Sequence, residues 1–322
     1  LLGMREVKIL PKYTTKLGQM FLGDFFFIYE NLLKKQYKNK FQLIITSPPF
    51  PLNNKKKYGN FTGRHYLDWF ESLAPIFSEL LREDGSLIIE LGNAWEKNRP
   101  IQSLLHLEAL MRLIKHKDAN FRLIQEFVVY NPSKLPSPAQ WVTVNRIRVV
   151  DSYTHVWWIA KSDFPKADNR KVLRPYSNSM RKLLEKKKYN SGERPSQHVI
   201  GEKSFLKDNG GSIAHNFFEL KSLDERREQR LPYNVISFSN TSSNDQFLRR
   251  CRELGIKPHP ARMNPGVVAF FIEFLTDDGD LVLDPFAGSN TTGYVAEILN
   301  RQWISCELQE EYVEQSKLRF YD

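Results

Sequence analysis

The sequence of 322 residues is poor in the features that mark secreted and membrane proteins. It has only two cysteines, Cys251 and Cys306, which are too few for a disulfide framework or a thiolate metal site. No apolar run approaches the roughly 18 residues that a membrane-spanning helix needs, and the sequence does not open with a charged and then apolar leader. We therefore expect a soluble intracellular protein without a membrane partner.

Charge of one sign is concentrated in one stretch of the chain. Hydrophobic residues at 41% and charged residues at 26% are ordinary globular values, which excludes disorder for the whole chain. Between Lys161 and Lys257 there are 21 Lys and Arg against 12 Asp and Glu, whereas the rest carries 26 against 25. A solvated, Lys-rich loop region is one interpretation. A nucleic-acid interface is the other, and the interleaved Tyr, Phe, Ser and Asn favour it.

Hydrophobic periodicity predicts one α/β domain that the basic stretch interrupts. Short apolar runs alternate with helical patterns before and after that stretch, which is typical of a mostly parallel sheet with helices on both faces. The predicted regions are 1–162, 163–257 and 258–322, the first and last being halves of the same domain. The predicted strands are Gln42–Thr46, Ser86–Leu91, Phe127–Tyr130, His155–Ala160, Asp280–Leu283 and Gln302–Ser305. The predicted helices are 67–81, Leu104–Ile114, Val267–Leu275, Thr291–Leu299 and Gln309–Arg319.

A loop of small residues follows the predicted strand Asp280–Leu283. It reads Asp-Pro-Phe-Ala-Gly-Ser-Asn-Thr-Thr-Gly from Asp284 to Gly293. Such a loop between a strand and a helix binds nucleotide-like ligands at the carboxyl end of a sheet. Gly288 permits close approach, and Asp284 can pair with a cationic ammonium. Because the loop is neither GxGxxG nor a Gly-Lys-Thr phosphate loop, a triphosphate is disfavoured. Glu307 ends the next strand and can accept from two ribose hydroxyls; the alternative is a plain helix cap with a surface glutamate.

A second motif, Ser47-Pro-Pro-Phe50, follows the predicted strand Gln42–Thr46. The prolines end the strand and hold the residues before them extended. The Ser47 hydroxyl and the neighbouring carbonyls are then rigid acceptors, and Phe50 offers a flat apolar face. This arrangement suits a planar base with an exocyclic amino group, and stacking is worth about 1–3 kcal/mol per base. Alone, Ser-Pro-Pro-Phe is often only a turn, but both motifs follow strands of one predicted domain.

Together, the two motifs resemble those of the S-adenosylmethionine-dependent amino-methyltransferases that act on DNA. Ser47 to Phe50 resembles their catalytic tetrapeptide, and residues 284–289 are similar to their methionine-binding loop. Residues 259–265 and 279–283 are similar to the segments before that loop. The order of catalytic motif, basic region and cofactor loop is that of the permuted β group. The resemblance implies a Rossmann-like methyltransferase fold whose catalytic half is 1–162 and whose cofactor half is 258–322, with a DNA target-recognition region between them.

The resemblance also implies roles for individual residues and partners. The implied catalytic residues are Ser47, Pro48, Pro49 and Phe50. The implied cofactor contacts are Asp24, Asp284, Pro285, Phe286, Ala287, Gly288, Ser289, Asn290, Thr291 and Glu307, with Asp24 near the adenine. The cofactor would be S-adenosylmethionine, which leaves as S-adenosylhomocysteine, and no metal is expected. The substrate would be double-stranded DNA in a bacterial cytoplasm, with a restriction endonuclease as functional partner.

Two departures from the family pattern affect the prediction. Asn290 stands where members commonly have a second Gly; because Asn tolerates a left-handed backbone, the loop can still form, although its contacts can differ. Ser47 stands where adenine-N6 enzymes tend to have Asp, so cytosine N4 is the expected target. Adenine-N6 methylation, an RNA substrate, and a non-catalytic nucleic-acid-binding regulator on the same fold are the alternatives.

The chemistry of an exocyclic amine predicts further features. The base has to leave the duplex to be reached, and residues 51–65 are either a mobile flap over it or a plain surface loop. Tyr130-Asn131-Pro132 ends another strand, and the resemblance implies that this neighbourhood also contacts the base. Methylation at carbon 5 is not expected, because neither cysteine has the Pro-Cys context of its thiolate nucleophile. His259 is not expected to bind metal, since no ligand spacing accompanies it.

Overall fold

The computed structural model describes residues 9–50, 61–202, 204–221, 236–239, 246–259 and 262–321, with the backbone alone at Lys221 and 236–239. The strands are β1 (Tyr13–Thr14), β2 (Gly18–Leu22), β3 (Phe41–Thr46), β4 (Leu81–Gly92), β5 (Arg122–Tyr130), β6 (Tyr153–Ala160), β7 (Gly192–Glu193), β8 (Val199–Ile200), β9 (Phe217–Lys221), β10 (Ile236–Ser239), β11 (Leu281–Asp284) and β12 (Gln302–Glu307). The helices are α1 (Phe25–Ile28), α2 (Lys34–Gln36), α3 (Gly63–Leu80), α4 (Leu105–Lys115), α5 (Asn178–Lys186), α6 (Gln246–Glu253), α7 (Pro265–Leu275), α8 (Thr291–Ile298) and α9 (Glu310–Ser316). None of the helices in these ranges is long and apolar enough to cross a membrane.

Ten of the strands form one sheet in the order β1-β2-β12-β11-β3-β4-β6-β5-β9-β10. The central neighbours β12, β11, β3 and β4 are all parallel, whereas β6 runs antiparallel to both β4 and β5. From β11 the chain continues to β12 on one side, and from β3 it continues to β4 on the other side. The strand order therefore reverses between β11 and β3, and such a reversal opens a crevice at the carboxyl ends of the two strands.

Apolar side chains cover both faces of this sheet. On one face, α3 presents Tyr66, Phe70, Leu73 and Phe77 at helical spacing, and all four are buried. The opposite face is covered by α7, α8 and α9, whose buried residues form a second cluster. Every residue of β3 is buried, as expected for a central parallel strand covered on both sides. The sheet is thus the middle layer of three, which fixes the strand ends where the crevice opens.

Each predicted strand and helix is present, but β4 and β5 begin earlier than predicted, at Leu81 and Arg122. Leu81, predicted as the end of a helix, is the first residue of β4. The sequence did not predict that part of the basic region joins the main sheet. Within that region β9 pairs with β5, and Phe218 of β9 is fully buried with its ring stacked on Phe127 at 5.7 Å. The predicted boundary at residue 162 is therefore not a break in the sheet.

Candidate active site

The two sequence motifs meet at the carboxyl edge of the sheet. Strands β3 and β11 pair in parallel, with Leu43 opposite Val282 and Ile44 opposite Leu283. At their ends the Thr46 hydroxyl donates to Oδ1 of Asp284 over 2.8 Å, although the two residues are 238 positions apart in the chain. The expectation that both motifs share one edge of one sheet is confirmed.

A cavity of about 340 Å³ opens between these two strand ends. This volume lies in the range of about 300–1,000 Å³ that is typical of small-molecule sites. The sequence-predicted residues that line it are Asp24, Ser47, Pro48, Pro49, Phe50, Asp284, Pro285, Phe286, Ala287, Gly288, Ser289, Thr291 and Glu307. Asn290 is the exception among the predicted residues and does not line the cavity.

Asp284 is a buried carboxylate at the floor of the cavity. Its oxygens accept from the Thr46 hydroxyl, from the Thr292 hydroxyl at 2.6 Å and from the Phe286 amide at 3.1 Å. Only 4% of the residue is exposed. Burial, with a smaller contribution from the nearby Glu307, raises the pKa of Asp284 to about 6 in spite of these donors. The site is therefore electronegative, and a bound cation would stabilise the ionised carboxylate.

Glu307 at the end of β12 contacts the backbone of the loop at 284–293. One of its oxygens accepts from the Gly288 amide and the other from the Gln309 amide, both at 2.8 Å. Burial raises the pKa of Glu307 as well. Each oxygen keeps a second lone pair, so the carboxylate can still accept from ligand hydroxyls. Gly288 has φ +52°, and an added Cβ would lie 3.2 Å from the His259 ring, so the loop needs a glycine there.

Asn290 faces into the protein rather than the cavity. It adopts the left-handed conformation, φ 55° and ψ 45°, as the sequence predicted it could. Its amide oxygen accepts from the Gly293 amide at 3.0 Å and from the Ser305 hydroxyl at 2.7 Å, and its nitrogen donates to the Tyr13 hydroxyl at 3.0 Å. Asn290 thus caps α8 and ties the loop to β12, and the predicted cofactor contact from its side chain is not supported.

Arg319 holds the loop at 284–293 through hydrogen bonds to Ser289 and Thr291, a role that the sequence did not predict. Its guanidinium donates to the Ser289 carbonyl at 2.7 Å and to the Ser289 and Thr291 hydroxyls at 3.1 Å. It also lies 4.1 Å from the centroid of the Phe247 ring, in α6 of the basic region. Because Arg319 is only 8% exposed, these contacts are shielded from water. The loop conformation therefore depends on a residue near the end of the sequence.

Packing contributes to holding the turn at residues 47–50. Pro48 is buried, whereas Ser47, Pro49 and Phe50 are half-buried where they line the cavity. The Phe50 ring lies against Gly92 at the end of β4, where an added Cβ would fall 2.6 Å from Cε2 of Phe50. A side chain at Gly92 would displace the ring. Nothing in the sequence around Gly92 pointed to this contact.

A half-buried carboxyl group, that of Glu90, lies on the neighbouring strand at the register position of Ser47. Strands β3 and β4 pair Thr46 with Ile89, so the next positions along them are Ser47 and Glu90. The Thr154 hydroxyl donates to Glu90 at 3.2 Å. Burial raises the pKa of Glu90 to about 7. No sequence motif indicated this group, whose charge changes near neutral pH.

Aromatic rings form one wall of the cavity. Trp69 of α3 lies 5.5 Å from Phe286 and 6.0 Å from Phe61, measured between ring centroids. On the other side the His259 and Tyr312 rings meet edge to face at 4.2 Å. Apart from Phe286, the sequence did not indicate that these residues line the cavity. Trp69, for example, lies in α3, where an aromatic residue is equally well explained by core packing. Flat apolar walls of this kind suit planar ring ligands.

Several other residues singled out in the sequence do not line the cavity or are not among the described residues. Of the proposed flap, residues 51–60 lie outside the described residues, and residues 63–65 begin α3. Tyr130 ends β5, which β4 and β6 separate from β3, and it does not line the cavity. Cys306 is fully buried, and burial raises the pKa of its thiol, so it is not poised as a thiolate nucleophile. Across the described ranges, no group of three or more His, Cys, Asp and Glu side chains could hold a metal ion.

A cavity at the switch point of a parallel sheet, with buried acids on one side and aromatic rings on the other, defines an α/β enzyme with a nucleotide-like cofactor. The chain belongs to the DNA methylase family of N6 and N4 methyltransferases, whose model matches residues 41–318.

Individual relatives agree with this family. The type II methyltransferase M.PvuII of Proteus hauseri is 44% identical over 314 residues, which cover 97% of this chain and 86% of that protein. The solved structure of the PvuII DNA methyltransferase, described as cytosine-N4-specific, matches with a TM-score of 0.72 at 36% identity, covering 99% of this chain and 91% of that one. The M1.HpyAVI–SAM complex matches with a TM-score of 0.52 at 16% identity over 95% of this chain and 100% of that one, which is a likeness of fold.

Proposed function

We propose that the chain is a site-specific DNA methyltransferase that transfers a methyl group from S-adenosylmethionine to the N4 amino group of cytosine in double-stranded DNA. The observation that carries this proposal is the shared cavity between Ser47–Phe50 and the loop at 284–289. Membership of the DNA methylase family and the likeness to M.PvuII support it.

The residues of the cavity fit S-adenosylmethionine. Asp284 is a buried acid whose ionised form a cationic ligand would stabilise. Glu307 keeps lone pairs for two ribose hydroxyls, and Gly288 leaves room for the loop backbone to approach the ligand. Asp24 lines the same cavity while its side chain caps α1. When bound, S-adenosylmethionine supplies an electrophilic methyl group on a sulfonium centre.

The catalytic turn acts on the other reactant, the exocyclic amine. The Ser47 hydroxyl and the Pro48 carbonyl accept the two amino hydrogens and draw the nitrogen lone pair out of conjugation with the ring. As positive charge develops on the nitrogen, the same acceptors stabilise it, a contribution that grows in a site shielded from water. The proton then leaves an acidic ammonium to water, so no strong base is needed.

The basic region provides the surface for DNA. Its helix α5 has no buried residue, and Arg181, Lys182 and Lys186 on it are exposed. Phosphate contacts from such residues give affinity that falls with salt. The flipped base costs a few kcal/mol to extrude and would then stack on Phe50. We place the reaction in the bacterial cytoplasm, where it protects DNA from a partner restriction endonuclease.

Transfer of labelled methyl groups tests this function. Purified protein is incubated with labelled S-adenosylmethionine and duplex DNA, and the nucleosides of the digested DNA are separated by chromatography. We expect label in N4-methylcytosine. Label in N6-methyladenine would establish the other activity of this family, label in RNA alone would identify an RNA enzyme, and DNA binding without transfer would identify a regulator.

A further inference from the structure

The loop between β5 and β6, residues 131–152, exposes apolar side chains near the cavity. Val149 is 87% exposed, Val144 is 68% exposed and Ile147 is 60% exposed. Because Thr154 near the start of β6 pairs with Gly92 at the end of β4, this loop leaves the sheet at the edge where the parallel strands end. Single exposed apolar residues are common, but several in one loop indicate a surface that another molecule covers.

Two contacts fix the backbone on either side of Val149 and Val150. The Arg148 guanidinium lies 3.6 Å from the Trp95 ring centroid and donates to the Pro100 carbonyl at 3.1 Å. Asp151 accepts from the Asn93 side chain at 2.9 Å. The two valines are therefore presented to solvent by anchored neighbours.

These anchors connect the loop to the catalytic turn. Asn93 directly follows Gly92, on which the Phe50 ring lies. The Asn93 side chain is fixed by His155, whose Nε2 is 3.0 Å from its amide oxygen. The hydrogen bond between Asn93 and Asp151 thus connects the exposed valines to the end of β4, which supports Phe50. Phe50 is the proposed stacking surface for the target base.

The charge around the loop favours DNA as the molecule that covers it. The segments 93–104 and 131–152 carry five basic residues, Lys97, Arg99, Lys134, Arg146 and Arg148, against two acidic ones, Glu96 and Asp151. A basic rim around an apolar tip is suited to a polyanion whose interior is apolar. Proteins that unstack DNA insert apolar side chains between base steps in this way. A second copy of this basic chain would not match the rim.

We propose that Val149, with Ile147 and Val150 beside it, is a wedge that enters duplex DNA next to the target base pair. The wedge occupies space that the extruded cytosine leaves, so that the neighbouring bases remain in contact with an apolar surface. Arg146 and Lys134 face the flanking phosphates. This inference rests on the proposed function, since it assumes that a base is flipped.

The test compares Val149→Ala with the wild type on two DNA duplexes. On a matched duplex we expect kcat/KM to fall roughly tenfold, because the truncated side chain no longer supports the opened stack. On a duplex whose target cytosine lies opposite an abasic site, the base is already unpaired, and the two proteins should be nearly equal. Val149→Ile should behave as the wild type. Ile298→Ala is the matched control, since Ile298 is 61% exposed but lies at the far end of α8.

Three outcomes would overturn the wedge. Val149→Ala could leave the matched duplex unaffected, or it could lose the same factor on both duplexes, which a general distortion of the loop would do. Sedimentation could also show that the substitution dissociates a dimer without a change in DNA kinetics, which would assign the patch to a second copy. A wild-type protein that methylates no cytosine on either duplex would instead reject the proposed function.

Discussion

The described contacts of the two loops that meet in the cavity differ in kind. The loop after β11 is braced by hydrogen bonds that Asp284 and Asn290 accept and that Arg319 donates, and all three side chains are buried. The turn after β3 is held by two proline rings and by the packing of Phe50 on Gly92. A braced loop suits a ligand that is bound tightly, and a turn stiffened by proline presents acceptors at a fixed angle. Substitutions in the first loop should therefore change affinity and stability, and those in the second should change rate.

Ser47→Ala tests the rate side of this comparison most strongly. Removing the hydroxyl acceptor should lower the methylation rate roughly 100-fold or more, as the loss of one positioned hydrogen-bonding group does in other enzymes. Cofactor affinity should stay close to that of the wild type, because the braced loop is intact. Single-turnover rates and calorimetric titration measure the two quantities. Equal losses in both would contradict the separate roles of the loops.

Asp284→Asn tests the affinity side. Affinity for S-adenosylmethionine should rise with pH through about 6, where Asp284 ionises, since the carboxylate attracts the cationic ligand. The same ionisation opposes folding of the unliganded protein, because burial raises this pKa above the ordinary 3.8. The amide variant should bind roughly tenfold or more weakly at pH 8, the loss of a charged interaction, and should show a flatter pH profile.

Titrations between pH 5 and pH 8 would decide the role of Asp284. The slope that remains in the variant belongs to the other acids whose pKa is raised, Glu307 and Glu90. Asp118→Asn is the matched control, because Asp118 is exposed and does not line the cavity. An unchanged slope in Asp284→Asn would show that its carboxylate does not meet the cofactor charge.

Gly92→Ala should disturb the turn at residues 47–50 by displacing the Phe50 ring. The added methyl group overlaps the Phe50 ring, so we expect kcat/KM to fall roughly tenfold through misplacement of the base surface, with cofactor affinity unchanged. Gly201→Ala is the control, since its added Cβ would meet nothing closer than 3.5 Å. In the double variant with Phe50→Ala the losses should not add, because both substitutions disturb the same surface. Additive losses would contradict the contact.

Asn290→Ala should have the smallest effect on function. Losing the helix cap should lower the free energy of unfolding by about 1–2 kcal/mol. Asn290→Gly should restore part of that stability, since glycine adopts the left-handed backbone without strain. Chemical denaturation measures the stabilities, and cofactor titration should find both variants near the wild type. A loss of affinity at unchanged stability would place this side chain in contact with the ligand after all.

The sequence was sufficient to predict the fold and the meeting of the two motifs. Short apolar strands alternating with helical patterns indicated a parallel sheet, and parallel strands have their carboxyl ends at one edge. Motifs directly after Thr46 and Leu283 were therefore expected to meet, and the hydrogen bond between Thr46 and Asp284 joins them.

The contacts that the sequence did not predict depend on tertiary packing. Gly92 matters only because Phe50 lies over it, and Arg319 only because the end of the chain folds back behind the cofactor loop. The direction of the Asn290 side chain is set by the helix that it caps. Likewise, β9 joins the main sheet through pairing with β5, which the irregular pattern of the basic region did not indicate.

The most direct measurement is a crystal structure of the protein with S-adenosylhomocysteine and a duplex that contains its target site. We expect the cofactor sulfur to lie against the loop at 284–289. We also expect the amino group of an extruded cytosine to lie about 3 Å from the Ser47 hydroxyl, within hydrogen-bonding reach. A cofactor bound away from Asp284 and Glu307, or a target base that reaches the cofactor from a side remote from Ser47, would contradict it.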